Sequence, residues 1–260
     1  MSAADMTSFD EAYVLPDPRA YFAQLGPYEY QAPHHAQQVF RDLLAELPPG
    51  ERVMLDLCCS YGINAALVNH DVTLDELYER YTGPKAAELS TPELIEWDRE
   101  FYAGRRLPEA AGSIGVDISR PAVGYALAVG LLDEGYCENL ETGDPDTELS
   151  RAAAGAGLIT VTGGVAFLTE RTFGRLLSAV ARPVPVAAFV LRTVDFRAVT
   201  ACLESHGLAV ERSTDTYPQR RFTDPGEQRR AVEAVTALGE DPTGKEGDGW
   251  YHNRLHLARA

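Results

Sequence analysis

The chain has 260 residues, 45% hydrophobic and 24% charged, which suffices for one large core or for one core with an appendage. Its 39 acidic against 23 basic residues give a formal net charge of -16, a field that repels phosphate backbones and anionic membranes. Neither a nucleic acid nor a membrane is therefore expected as a partner. The four cysteines, Cys58, Cys59, Cys137 and Cys202, form no C-x-x-C pair and no disulfide framework. Residues 1–10 lack a basic segment followed by an apolar run, and no stretch approaches the roughly 20 apolar residues that span a bilayer. A reducing cytoplasm is the compartment these features suit.

Residues 1–18 are polar, carry prolines at 16 and 18, and read as an arm. A helical stretch over 21–47, broken at Gly26-Pro27 and Pro33, completes an N-terminal unit of residues 1–50, an arm with a helical cap. The main domain, 51–260, opens with a strand at 53–57 and a helix at 63–69. Residues 73–110 read as a charged helical insertion or lid, broken at Gly83-Pro84 and at 90–92, and too long for an ordinary helix-to-strand connection. Strands at 113–117, 136–140, 157–162 and 186–192 follow, with helices at 121–134, 170–181 and 195–206, the last stopped by Gly207. Strands at 208–213 and 253–259 close the chain around a second insertion at 217–250. Alternating strands and helices predict a mainly parallel sheet, and the last two strands, lacking a helical crossover, are expected to pair antiparallel.

The stretch Arg52-Val-Met-Leu-Asp-Leu-Cys-Cys-Ser-Tyr-Gly62 combines a buried strand, an acid at its end and a tight turn before a helix. Open α/β sheets hold nucleotide-like ligands at such a turn. Asp117 ends the second strand, 55 residues after Gly62; without the 38 residues of 73–110 the interval is 17. At about that spacing an acidic residue reaches a ribose, whose two hydroxyls a carboxylate can accept. The other reading of Asp117 is a favourable charge at a helix N-terminus.

Four motifs then stand in order: Leu55-Asp-Leu-Cys-Cys-Ser-Tyr-Gly62, Gly115-Val-Asp-Ile-Ser119, Glu138-Asn-Leu140 and Leu158-Ile-Thr-Val-Thr162. Over residues 36–72 and 111–260 the chain resembles the class I S-adenosylmethionine-dependent methyltransferases. The resemblance implies an α/β fold, a seven-stranded, mainly parallel Rossmann-like sheet with an antiparallel last strand. It also implies S-adenosylmethionine as ligand. Asp56 would anchor the loop and the methionine amino group, with the backbone of Cys58, Ser60 and Gly62 beside the methionine. Asp117, with Ile118 next to it, would hold the ribose. Asn139 and Leu140 would flank the adenine, and Thr162 and Gly163 would lie near the sulfonium. The loop departs from the family's D-x-G-x-G-x-G, because Cys58 and Ser60 replace its first two glycines and put side chains where backbone approaches the ligand. Either the Ser60 hydroxyl takes over a backbone contact, or the loop merely packs.

No metal is expected. Cys58 and Cys59 are adjacent on a strand end and point to opposite faces, while His252 and His256 share a strand face roughly 13 Å apart. Tyr28, Tyr30 and His35 are the catalytic candidates. An aromatic face attracts a sulfonium, and a phenol or imidazole can take a proton from an acceptor; the alternative is that the tyrosines staple a helix start. Trp97 and Phe101 make an apolar helix face suited to packing on the domain, to a homodimer, or to a lid. Arg220 and Arg221 are candidates to grip a carboxylate.

The resemblance, without an Asn-Pro-Pro-type motif at Gly163-Gly164, leads to methyl transfer to a small-molecule, biosynthetic acceptor. A second expectation is that the enzyme cyclises S-adenosylmethionine itself to an azetidine- or cyclopropane-type amino acid, releasing methylthioadenosine. A third is a non-catalytic scaffold, since fold alone proves no chemistry.

Overall fold

The computed structural model describes residues 6–260. Its eight strands are β1 (Val53–Leu57), β2 (Gly112–Val116), β3 (Glu134–Tyr136), β4 (Leu158–Val161), β5 (Val186–Leu191), β6 (Ala209–Arg212), β7 (Tyr217–Arg221) and β8 (Trp250–Arg259). They form one sheet of order β3-β2-β1-β4-β5-β8-β6, with β7 also paired to β8. The first five strands are mutually parallel, and β8 runs antiparallel to β5, β6 and β7. Asn253 pairs with Leu191 on one side and Tyr217 on the other, so β7 lies along the same edge of β8 as β6. The sequence reading had one strand here, at 208–213; the structure continues that edge through β7, with a bulge between Pro218 and Arg220.

The helices are α1 (Asp10–Tyr13), α2 (Arg19–Leu25), α3 (Ala32–Ala45), α4 (Ile63–Asn69), α5 (Leu74–Thr82), α6 (Pro84–Glu88), α7 (Thr91–Ala103), α8 (Arg120–Ala128), α9 (Thr147–Ala154), α10 (Glu170–Ser178), α11 (Arg197–Ser205) and α12 (Pro225–Ala237). Local chemistry starts several of them. Thr73 with Glu76 and Ser90 with Glu93 form capping boxes, and Asp146 and Asp224 accept the first amides of α9 and α12. None among the described residues is long and apolar enough to cross a membrane.

Strand alternation divides the apolar residues between two faces. Met54, Leu158, Ala187 and Phe189 face α2, α3, α4, α5, α7 and α8, with Phe40 of α3 set edge-on to Phe189. Leu55, Leu57, Ile114, Ile159, Val161, Val186 and Val190 face α9, α10 and α11. Parallel strands buried on both sides read as continuous apolar runs, which is why 53–57 and 186–191 were legible in the sequence.

Residues 74–103 are held onto this frame by a buried carboxylate. Asp98, fully buried, accepts from Arg80 Nε (2.7 Å), from Tyr81 Oη (2.8 Å) and from Tyr125 of α8. The Arg80 guanidinium lies 3.3 Å from the Trp97 ring centroid and 3.9 Å from that of Phe101. The apolar face of Trp97 and Phe101 is thus turned onto a cation of its own chain.

Candidate functional site

The loop leaving β1 carries positive φ at every second position: Cys58 at 55°, Ser60 at 50° and Gly62 at 78°. A residue with a Cβ pays roughly 1–2 kcal/mol to stand there, so Cys58 and Ser60 hold a backbone path that glycine would follow more freely. Gly62 is packed tightly, since a Cβ on it would come within 3.1 Å of Ala126 and 3.2 Å of Leu131. The two cysteines diverge, although both lie in the loop beyond β1 and not on the strand end expected from the sequence. Cys58 Sγ fills the place of a Cβ on Gly164, and Cys59 Sγ does the same at Gly115.

Two carboxylates flank the loop. Asp117, at the end of β2, accepts from the Ser60 amide at Oδ2 (2.9 Å) and from the Ser119 amide at Oδ1 (2.8 Å). Each oxygen keeps a further lone pair. Burial raises its pKa, opposed by the amides. Asp56 is fully buried and does not face outward. Its oxygens accept from Asn64 Nδ2 (2.9 and 3.1 Å) and from Thr160 Oγ1 (2.8 Å), and Asn64 also bonds Thr162 Oγ1 at 3.1 Å. Burial without a cation pushes the Asp56 pKa up to about 7. The Ser60 hydroxyl is buried with no hydrogen-bond partner.

The N-terminal residues close over this edge. Tyr61 Oη donates to the carbonyls of Ala12 (2.7 Å) and Leu15 (2.9 Å), and the Ser119 hydroxyl donates to the Tyr13 carbonyl. At its far side the same segment is tied to α12, where the Thr7 amide donates to Glu227 (2.9 Å). Sequence reading took 1–18 as a polar arm; four-residue α1, its Ala12 completely buried, is fastened by partners far along the chain that local polarity does not announce.

Of the catalytic candidates, Tyr30 is brought to the loop. A Cβ on Gly163, whose φ is 60°, would overlap the Tyr30 hydroxyl. Burial, then the charge of Asp56, raises the Tyr30 pKa far above neutrality, so the phenol stays protonated. Tyr28 is elsewhere, its ring 5.7 Å from Phe9. His35 lies farther along the sheet edge, its ring 5.5 Å from Tyr217 and its Nε2 paired with Gln31 Oε1 at 3.0 Å. Burial lowers its pKa, which keeps the imidazole neutral near pH 7.

On the other flank β3 ends at Tyr136, earlier than the 136–140 span read from sequence, and Asn139 turns the chain instead. Its Oδ1 accepts the Glu141 amide (3.0 Å) and its carbonyl accepts from Thr142 and Gly143 (both 3.1 Å), an Asx-type turn. Leu140 is buried in the core and Ile118 is 72% exposed. The residue that sequence reading passed over is Glu138. Its Oε2 accepts the Asp146 amide at 3.1 Å, while its buried Oε1 has no partner. Only its place in the Glu138-Asn-Leu140 motif signalled it.

Arg220 and Arg221 have carboxylates of their own. Arg220 binds both oxygens of buried Glu227 (3.1 and 2.7 Å), and Arg221 pairs with Glu29. Neither offers an uncommitted cation.

Neither a family model nor a curated protein sequence matches the chain. Among solved structures, it is similar to magnesium protoporphyrin IX methyltransferase (ChlM) from Synechocystis PCC 6803 with bound SAM, at 13% identity and TM-score 0.43, over 88% of this chain and 79% of that one. It is also similar to the YcgJ protein from Bacillus subtilis, at 12% identity and TM-score 0.46 over 87% and 98% of the two chains. A geranyl diphosphate methyltransferase in complex with GPP and sinefungin gives 9% identity and TM-score 0.46 over 87% and 77%. The strand order, with five parallel strands and an antiparallel β8 between β5 and the β6 edge, agrees with the mainly parallel Rossmann-like sheet with an antiparallel last strand expected from the sequence.

Proposed function

We propose that the chain binds S-adenosylmethionine at the ends of β1 and β2 and catalyses methyl transfer to a small molecule. The observation that carries this is the left-handed backbone kept at Cys58 and Ser60. Strain of that kind persists where the surroundings over-determine it, characteristically at ligand sites. The partnerless buried oxygens, Ser60 Oγ and Glu138 Oε1, fit the two ends of such a ligand. Ser60 would meet the methionine part, Asp117 the ribose diol through its spare lone pairs, and Glu138 an exocyclic adenine amine as acceptor. Asp56 then acts from behind, fixing Asn64, Thr160 and Thr162 rather than touching the ligand.

When bound, S-adenosylmethionine supplies a methyl group on a positively charged sulfur, which leaves as a neutral thioether when an acceptor lone pair takes the methyl. The chain contributes alignment and exclusion of water. Tyr30 stays protonated and presents an aromatic wall and a hydroxyl donor beside Gly163. Neutral His35 stands on the Tyr217 side, away from Gly163.

The test is incubation with S-adenosylmethionine alone and with pooled small-molecule nucleophiles, followed by mass spectrometry of both halves of the cofactor. S-adenosylhomocysteine formed only with a nucleophile supports the proposal. Methylthioadenosine formed without one replaces it by intramolecular cyclisation, and calorimetry showing no binding of either nucleoside leaves a scaffold.

A further inference from the structure

The face of the sheet that carries Asp56 and Thr162 continues across β5 to β8. There it presents Asn253, which is completely buried and whose Oδ1 and Nδ2 both lack a hydrogen-bond partner. A buried amide left unpaired at both ends costs about 1–3 kcal/mol for each group, and a strand residue between Leu191 and Tyr217 needs no polar side chain for pairing. Next to it, the β7 bulge turns Gln219 and Arg220 inward together; both are 3% exposed, and Gln219 Oε1 has no partner. The Gln219 carbonyl accepts the Gln31 amide at 2.7 Å, which places this bulge against the residue following Tyr30.

Tyr30 itself spans the gap. Its hydroxyl lies against Gly163 after β4, and the next residue, Gln31, bonds the Gln219 carbonyl in β7. Asn253 belongs to the strand between them, two strand spacings or about 10 Å from the end of β4. That is the reach of a small acceptor whose reacting atom sits by Thr162. The nearby guanidinium is neutralised by its bidentate bond to Glu227, so the subsite offers hydrogen bonds without net charge.

We propose that Asn253 and Gln219 form the distal wall of the acceptor subsite, and that they select a neutral group with an N–H donor next to a carbonyl acceptor, as in a carboxamide or lactam, over a carboxylate. This rests on the methyl-transfer reading. An amide edge gives Asn253 the paired donor and acceptor it lacks; a primary carboxamide has a second N–H for Gln219 Oε1, and a lactam does without that contact. A carboxylate has no donor for Gln219 and would be desolvated with no free cation to compensate.

The experiment first measures S-adenosylhomocysteine binding by calorimetry; failure there removes the methyl-transfer reading and is seen before the subsite is probed. The loaded protein is then titrated with nicotinamide, 2-pyrrolidone and nicotinate while the side-chain amide resonances are followed by NMR, that of Asn253 being assigned by its loss in Asn253→Leu. The two amides should shift the Asn253 resonance and nicotinate should not. Asn253→Leu should weaken amide binding about tenfold, the loss of one or two neutral hydrogen bonds, and leave S-adenosylhomocysteine affinity unchanged. The free Asn253→Leu variant should melt at the same temperature or higher, because no partner is lost. Equal binding of nicotinate, no shift with either amide, or a clearly lower melting temperature for Asn253→Leu would each overturn the proposal, the last by showing that the amide serves the free fold.

Discussion

Ser60 tests the loop most directly, because its backbone and its hydroxyl can be separated. The left-handed φ of 50° costs a residue with a Cβ roughly 1–2 kcal/mol. Glycine removes that cost but gains freedom in the unfolded chain worth roughly 0.5–1 kcal/mol. Deleting the partnerless buried hydroxyl returns about 1 kcal/mol more. Ser60→Gly should therefore stabilise the free protein by about 1–2 kcal/mol, or raise Tm by roughly 2–8 °C at this chain length. Ser60→Ala loses the hydroxyl and keeps the strain, so it should gain only about 1 kcal/mol. The amide bond to Asp117 is retained in both. Calorimetric melts of the three proteins, with S-adenosylhomocysteine titrations beside them, complete the assay. Stability should rise in the order Ser, Ala, Gly, while nucleoside affinity falls about tenfold in both variants as the hydroxyl's contact is lost. A glycine variant no more stable than the alanine one would show that the backbone stores no strain, and the main support for the proposed function would fall with it.

Two further outcomes follow from the buried carboxylates. Asp56 has a pKa of about 7 in the fold against 3.8 for the ordinary group, so the folded state holds the extra proton between those values. The stability of the wild type relative to Asp56→Asn should thus fall as pH rises from 4 to 7 and level off above; urea melts giving a flat difference would remove the buried, unpaired carboxylate. Asp98→Ala strands Arg80 and the hydroxyls of Tyr81 and Tyr125, and should cost about 3–5 kcal/mol in chemical denaturation, whereas a loss under about 1 kcal/mol would mean residues 74–103 are held by apolar packing instead.

The parallel half of the sheet was legible because both-face burial leaves unbroken apolar strings, and β1 and α4 fall where the sequence puts them. The loop was legible in kind, since an acid, a turn and one glycine remain, but the φ values of Cys58 and Ser60 are not a property of those residue types. Besides β7, three features escaped. The strand expected over 136–140 lies instead at Glu134–Tyr136, and Asn139, bonding its own backbone, turns the chain where strand was expected. The polar composition of 6–18 concealed a segment fastened by Tyr61 and Glu227, partners 46 to 220 residues away. Tyr30 and His35, five apart, read as neighbours of one cleft, yet the helix start between them sends one to Gly163 and the other to Tyr217.

The hydrogen bond from the Ser60 amide to Asp117 gives one carboxylate two tasks. It is a strut between two strands, and it holds the loop's path by an external tie where glycine would hold it by permissiveness. Replacing Asp117 therefore removes the tie from a loop that carries side chains at 58 and 60, so affinity lost in such a variant reports the loop's path as well as any ribose contact.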